Sequence, residues 1–311
     1  MIKRASQAAE FGRVAVVMGG TAAEREISLK SGTAVLAALR RKGVDAAGLD
    51  IHGNLFESLQ SREFDRVFNI IHGRGGEDGV LQGAMETLGI PYTGSGVLAS
   101  ALAMDKLRTK LCWKGAEVPT PRWIVLETEA DLSRCVELLG FPLIVKPAAE
   151  GSSIGMSRAE RRVELEDAWR QAAQYACAVF AEAWVDGAEY TVAILDDEPL
   201  PLIRLETPNT FYDFDAKYRA STTRYHCPSG LVESEEQAIQ RLALHACRVL
   251  GVRGWARVDL LVDRSGNPAL IEVNTVPGMT DHSLVPMAAK AAGIDFDDLV
   301  WRILETSLGQ R

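Results

Sequence analysis

Four side chains able to bind a cation or an anion recur at even spacing in residues 255–274, WARVDLLVDRSGNPALIEVN: Arg257, Asp259, Glu272 and Asn274. Two apolar runs flank the step from Ser265 to Gly266, which reads as a β-hairpin. With the turn centred there, Asp259 stands opposite Glu272 and Arg257 opposite Asn274, and the two-residue side-chain period puts all four on one face. Val258, Leu260, Ile271 and Val273 then face the other side and suit a core. Two carboxylates and an amide oxygen that converge suit a hard cation such as Mg²⁺, which prefers oxygen ligands and bridges to substrate phosphates. Arg257 adds a rigid positive fork for developing negative charge. Cross-strand charged pairs on a solvated sheet face are the alternative reading of the same residues.

A second group is IVKPAAEGSSIGM at 144–156, where a strand delivers Lys146 into a short loop bounded by Gly151 and Gly155. Backbone N–H groups of such a loop approach phosphate oxygens closely while the lysine supplies charge. No Gly-Lys-Ser/Thr step makes it a Walker A loop, and GSGVLA at 94–99 is only a partial dinucleotide fingerprint. The loop also spells G-x-S-x-G, with Ser153 in the nucleophile position and Asp259 and His282 available as triad partners for a serine hydrolase. A nucleophile elbow needs its strand to run straight into the first glycine, and Pro147 and three further residues intervene here.

The elements that must position these groups alternate along the chain. Residues 14–18 read as a strand, 24–42 as a helix stopped by Gly43, 66–71 as a strand, 80–88 as a helix and 90–93 as a strand, so the first hundred residues form an open α/β layer. Further on, a helix ending near Gly115, strands at 122–126 and 142–146 and a helix at 130–139 start a second, α+β unit. Strands at 179–184 and 189–195, a helix at 235–250, the hairpin and C-terminal helical segments make up the rest. The polar, aromatic stretch 207–225 has little periodicity and reads as a long functional loop, a lid.

With 311 residues, 47% of them hydrophobic and 24% charged, the chain suits two or three compact units and excludes wholesale disorder and coiled coil. Its 42 acids outnumber 34 bases, a net charge of -8, and no basic cluster suits nucleic acid. No run approaches the roughly 18 apolar residues that would cross a bilayer, so no membrane association is expected and the expected location is the cytoplasm. Five scattered cysteines without a C-x-x-C pair indicate neither a disulfide framework nor a zinc knuckle.

These pieces, in this order, resemble the ATP-grasp superfamily and within it the D-alanine–D-alanine ligase family, along nearly the whole length. The matching segments are GGTAAEREISL at 19–29, HGRGGEDG at 72–79, MDK at 104–106, the lysine and glycine loop, FYDFDAKY at 211–218, and 257–283. The resemblance implies an α/β (α+β) fold of three domains, with an N-terminal α/β domain at 1–103 and two α+β subdomains at 104–187 and 188–311 that sandwich ATP. It implies formation of D-alanyl-D-alanine, a peptidoglycan precursor, through an acyl phosphate. A homodimer is also implied. The nearest competitor is another ATP-grasp carboxylate–amine ligase.

By the same resemblance Lys106 and Lys146 would hold ATP phosphates, Glu182, Trp184 and Val185 would border the adenine, Glu189 would take the ribose hydroxyls and Phe211 would lie against the nucleotide. Lys217 would close over the γ-phosphate, and Asp259, Glu272 and Asn274 would hold two Mg²⁺ or Mn²⁺ ions. Arg257 and the Gly278 N–H would stabilise the oxyanion. Glu24 would receive the ammonium of the first D-alanine, with His72 near it, and Ser283 with Arg257 would meet the carboxylate of the second. Ser152 and Tyr218 would link to Glu24 and lock the lid. Ala183, beside Trp184, departs from the lysine that relatives commonly carry, and Val276 and Asp281 stand where serine or threonine is common.

Overall fold

The computed structural model describes residues 4–53, 64–207 and 223–309. Val14–Gly19 (β1), an unbroken apolar run, is buried along its whole length between Ala46–Ile51 (β2) and Arg66–Asn69 (β3) in a parallel sheet of order β2-β1-β3. A parallel strand covered on both faces needs no polar alternation, which is why the run looks continuous. Arg25–Arg41 (α1) crosses over between β1 and β2, and Val80–Leu88 (α2) and Val97–Met104 (α3) follow β3. In place of the strand expected at 90–93, Tyr92 makes a single parallel bridge to Val67.

The next sheet is antiparallel, of order β4-β7-β5-β6, from Trp123–Val125 (β4), Leu143–Pro147 (β5), Ser157–Ala159 (β6) and Val179–Ala183 (β7). Lys106–Gly115 (α4) leads into it, its first turn capped by Asp105, whose side chain accepts from the Arg108 N–H at 3.0 Å. Glu129–Leu139 (α5) and Arg162–Ala172 (α6) pack on the sheet through Leu132, Cys135, Leu165 and Ala168.

The third sheet is built on Gly187–Leu195 (β8) and runs β11-β10-β8-β12-β13, with Glu198–Pro199 (β9) also paired to β8. Its other strands are Ile203–Glu206 (β10), Arg224–His226 (β11), Trp255–Asp263 (β12) and Pro268–Asn274 (β13). Arg224 and Tyr225, expected in the lid stretch 207–225, are thus in a strand, paired to Glu206 and Leu205. Glu233–Leu250 (α7) lies across this sheet, and Leu284–Ala291 (α8) and Phe296–Glu305 (α9) close the chain's fold.

Two cores join parts distant in sequence. Val14, Val16 and Phe68 of the first sheet and Val35 and Leu39 of α1 share one core with Val285 of α8, Leu299, Val300 and Ile303 of α9, and Ala193 and Leu195 of β8. Ala99, Ala103 and Trp113 of α3 and α4 share another with Val192, Val258, Leu270 and Ala246 of the third sheet and α7. The Trp113 indole N–H donates to the Ala246 carbonyl at 3.2 Å, so α4 is fastened to the third unit while its first turn faces the second.

Candidate active site

The hairpin has the register expected near its open end, with Arg257 opposite Asn274 and Asp259 opposite Glu272. Beyond Asp259 the register shifts, and Leu260 pairs with Leu270. Ile271 is the extra residue of this β-bulge, so it does not enter the core as its parity required; Leu270 is buried in its place. Ile271 and Glu272, adjacent in sequence, both line the same cleft.

That cleft, about 470 Å³, lies between the second and third sheets. It brings together Lys106, Lys146, Glu182, Trp184, Val185, Glu189, Asp259 and Glu272, with Ile144, Met156, Leu205, Leu261 and Ile271 as an apolar wall. An apolar slot with a few convergent charges is the usual form of a small-molecule site. Lys146, the inward residue of a buried strand, reaches Glu182 Oε2 at 2.9 Å, and Lys110, one helical turn beyond Lys106, reaches Glu182 Oε1 at 2.9 Å. Burial alone would raise the Glu182 carboxyl, but Lys110 and Lys146 together carry it below its ordinary range. Burial brings Lys110 down to about 8, against the pull of Glu182. The cluster holds two cations on one carboxylate, a net positive floor for an anionic ligand. Lys110 carries no motif of its own; its only signal in the sequence is the helical spacing from Lys106.

Lys106 Nζ donates to the Glu150 carbonyl at 2.7 Å and lies 3.2 Å from Glu272 Oε2. Arg257 clasps Asp259 through two bonds of 2.8 and 2.7 Å, Thr191 donates to Asp259 Oδ1 at 2.7 Å, and Asn274 donates to Oδ2 at 3.2 Å. Among the described residues no three His, Cys, Asp or Glu side chains are grouped to hold a metal ion. The donor set is instead two carboxylates and an amide, each carboxylate now facing a cation. Such a set fits Mg²⁺ or Mn²⁺ when ligand phosphate oxygens complete the coordination shell.

Beside the cleft, the buried Glu24 ends the turn before α1. A Cβ on Gly151 would come within 2.6 Å of Glu24 Oε1 and one on Gly73 within 2.9 Å of Oε2, so both glycines are required for the carboxylate to sit there. Ser152 and Ser153 follow Gly151 in the left-handed region, at φ 52° and 59°, an uncommon backbone for serine, and Ser153 lines the cleft. Glu77 is pushed up to about 8 by burial and by the neighbouring Glu24, against the pull of the Gly73 N–H.

His72 is buried, with Nδ1 2.8 Å from the Val276 carbonyl and Nε2 3.4 Å from Ser31 Oγ. Burial lowers it to about 4, and Arg257 also disfavours its charge, so the ring is neutral at pH 7. Gly278 lies against Ser283, where an added Cβ would be 2.9 Å from Ser283 Oγ, and Ser283 Oγ accepts from the Thr280 N–H at 2.9 Å. Phe211, Lys217 and Tyr218 lie outside the described residues. The Ser153, Asp259 and His282 triad is not assembled: the His282 side chain is 90% exposed and faces Asp281, while Asp259 is held by Arg257, Thr191 and Asn274.

Family models for the C-terminus and the N-terminus of D-ala D-ala ligase match residues 112–305 and 52–95. The chain is 70% identical over 307 residues to a D-alanine–D-alanine ligase of Methylococcus capsulatus, covering 99% of each. It is 61% identical over 298 residues to that of Alkalilimnicola ehrlichii, covering 96% of this chain and 95% of the other. Among solved structures it resembles the D-alanine–D-alanine ligase of Bacillus anthracis complexed with ATP, with a TM-score of 0.83 and 31% identity over 95% of this chain and 97% of that one. The VanG D-Ala:D-Ser ligase of Enterococcus faecalis superposes with a TM-score of 0.84 at 28% identity, covering 95% of this chain and 99% of that one.

Proposed function

Because the chain belongs to the D-alanine–D-alanine ligase family, of ATP-grasp fold, we propose that the cleft and the Glu24 pocket beside it are two halves of one active site. The protein is an ATP-dependent ligase that joins two D-alanines, a step that supplies peptidoglycan precursor. The observation that carries the site assignment is the meeting of Lys106 and Lys146 with Asp259 and Glu272 in one cleft.

ATP lies in the cleft with its adenine between the apolar wall and Trp184 and Val185, its ribose towards Glu189 and its phosphates on Lys106 and Lys146. Glu182, fixed by two lysines, keeps Lys146 extended into the cleft as well as edging the adenine. Asp259, Glu272 and Asn274 are the residues that would hold two divalent ions, Mg²⁺ or Mn²⁺, and these supply charge neutralisation where a carboxylate meets a phosphate. Glu24 takes the ammonium of the first D-alanine, whose carboxylate oxygen attacks the γ-phosphorus and releases ADP. The acyl phosphate so formed has a good leaving group. The amine of the second D-alanine, its carboxylate held by Ser283 and Arg257, adds to the carbonyl carbon, and Arg257 and the Gly278 N–H stabilise the oxyanion. The adduct then collapses: the carbonyl re-forms, the C–O bond to phosphate breaks, and the proton shed by the nitrogen goes to the departing phosphate or to water. Ser152, Phe211, Lys217 and Tyr218 complete the reading as lid and lid-contact residues.

Domains at 1–103, 104–187 and 188–311, a homodimer and a cytoplasmic location belong to the same proposal. Exposed Val80, Val97 and Leu98 on α2 and α3 support the dimer, and among the described residues no helix is long and apolar enough to cross a membrane. Phosphate release from ATP, measured with D-alanine, L-alanine, D-lactate or no addition and combined with chromatography of the product, tests the reading. Release that depends on D-alanine and yields the dipeptide is expected. Release with another acid, or without dipeptide, overturns it.

A further inference from the structure

The backbone at 275–280 has no helix or strand of its own, yet its polar groups are held from the first domain. The Val276 carbonyl accepts from His72 at 2.8 Å, and the Met279 N–H donates to Ser31 Oγ at 3.1 Å. Between them, Pro277 has no N–H and a restricted φ. Among the described residues the Gly278 N–H has no acceptor, although both of its flanks are tied down. Ser31, fully buried on α1, is 3.4 Å from His72 Nε2, so one hydroxyl bonds both the loop and the ring. With Nδ1 donating to Val276, Nε2 is the acceptor for the Ser31 O–H, and the Ser31 oxygen remains to accept from Met279. The Glu77 carboxyl accepts from the Gly73 N–H at 2.9 Å, fixing the residue that follows His72, and also meets the backbone of Val276, the residue His72 holds.

We propose that Ser31 and His72, backed by Glu77, are positioning residues that fix the 276–279 backbone and so aim the Gly278 N–H at the reacting carbonyl. This assigns His72 to the loop, through both ring nitrogens, in place of the ammonium of the first D-alanine. The inference rests on the role of Gly278 proposed above. A backbone donor contributes to an oxyanion site only when it is held in place before charge develops. The hydrogen-bond chain from α1 through Ser31 and His72 supplies that restraint across the boundary between the first and third units. It also ties the donor to the helix that follows Glu24, so the residue on the first substrate and the donor for the intermediate are registered on one element. The neutral ring the chain requires agrees with the fall of His72 to about 4.

The test compares S31A, H72A and H72N with the wild type by steady-state kinetics in each D-alanine, ATP titration calorimetry, thermal melting, and inhibition by a phosphinate analogue of the tetrahedral intermediate. The expected result for S31A and H72A is a fall in kcat of about 10- to 100-fold, the scale of a displaced donor, with ATP affinity and the KM for the first D-alanine little changed. The phosphinate should dissociate faster by a similar factor. In H72N the side-chain amide can still donate to Val276, so it should recover most of what H72A loses. If H72A does not fold, S31A and H72N against the wild type carry the same comparison. A rise in the KM for the first D-alanine with kcat intact, or an H72N as poor as H72A, overturns the clamp while leaving the ligase reading in place. A wild type that makes no dipeptide overturns that reading itself, and the clamp with it.

Discussion

Glu182→Gln is the perturbation on which the electrostatics of the cleft can be tested most directly. Glu182 lies 2.9 Å from each of Lys110 and Lys146, and all three side chains are almost wholly buried. At an effective dielectric of about 20, each contact is worth roughly 6 kcal/mol of attraction, most of which offsets the cost of taking the ions out of water. Exchange for the neutral amide removes both attractions and leaves two buried ammonium groups facing each other. The expected loss of stability is roughly 3 to 5 kcal/mol at neutral pH, the usual range when one partner of a buried pair is deleted. K110M/E182Q removes one of the uncompensated charges with little change of volume, and should therefore be more stable than E182Q alone. Urea unfolding at pH 7.5 measures both variants. An E182Q as stable as the wild type, or a double variant less stable than E182Q, would refute the view that one carboxylate carries the charge balance of the cleft.

His72 falls from 6.5 to about 4 in the fold, so the unfolded chain takes up its proton at higher pH than the folded one. The stability this neutral ring retains is full above pH 6.5 and lost as pH falls towards 4, about 3 kcal/mol in all, and H72N should flatten that acid limb in melts from pH 7 to 4. Gly151→Ala puts a Cβ 2.6 Å from Glu24 Oε1, and should raise the KM for the first D-alanine at least about 10-fold while leaving ATP binding near normal. Chelation should abolish turnover, and Glu272→Gln should raise the Mg²⁺ concentration needed for half-maximal rate; an unchanged requirement would remove the hairpin from metal binding.

The hairpin shows how far sequence reasoning reaches and where it stops. Its turn chemistry and period of two put Arg257, Asp259, Glu272 and Asn274 in the register the structure has, because those signals are local. The bulge at Ile271 left no mark, since a run of apolar residues looks the same whichever one is the extra residue. Strands β2, β6, β9, β10 and β11 and helices α3 and α6 were not anticipated; short elements with mixed burial give weak periodicity. The cleft residues came from motif resemblance more than from pattern. Ser31 could not have been singled out, and Lys110 only by its helical spacing from Lys106, because a buried serine or lysine within a helix acquires meaning from distant partners, His72 being 41 residues from Ser31 and Glu182 being 72 from Lys110.

The core shared by β1, β3, α1, α8 and α9 has a consequence for how the protein is made. Val14, Val16 and Phe68 leave the ribosome long before Leu299, Val300 and Ile303 exist to cover them. At usual elongation rates of about 5 to 20 residues per second, the interval is of the order of ten to sixty seconds. Until Ala193 and Leu195 of β8 emerge, one face of the nascent first sheet has only α1 upon it, and part of its apolar surface stays open to other chains or to chaperones until α8 and α9 follow. The third unit meanwhile has α7 and α4 already in place. Completion of the core around the first sheet therefore waits on the last helices, so that the oldest part of the chain is among the last to be finished.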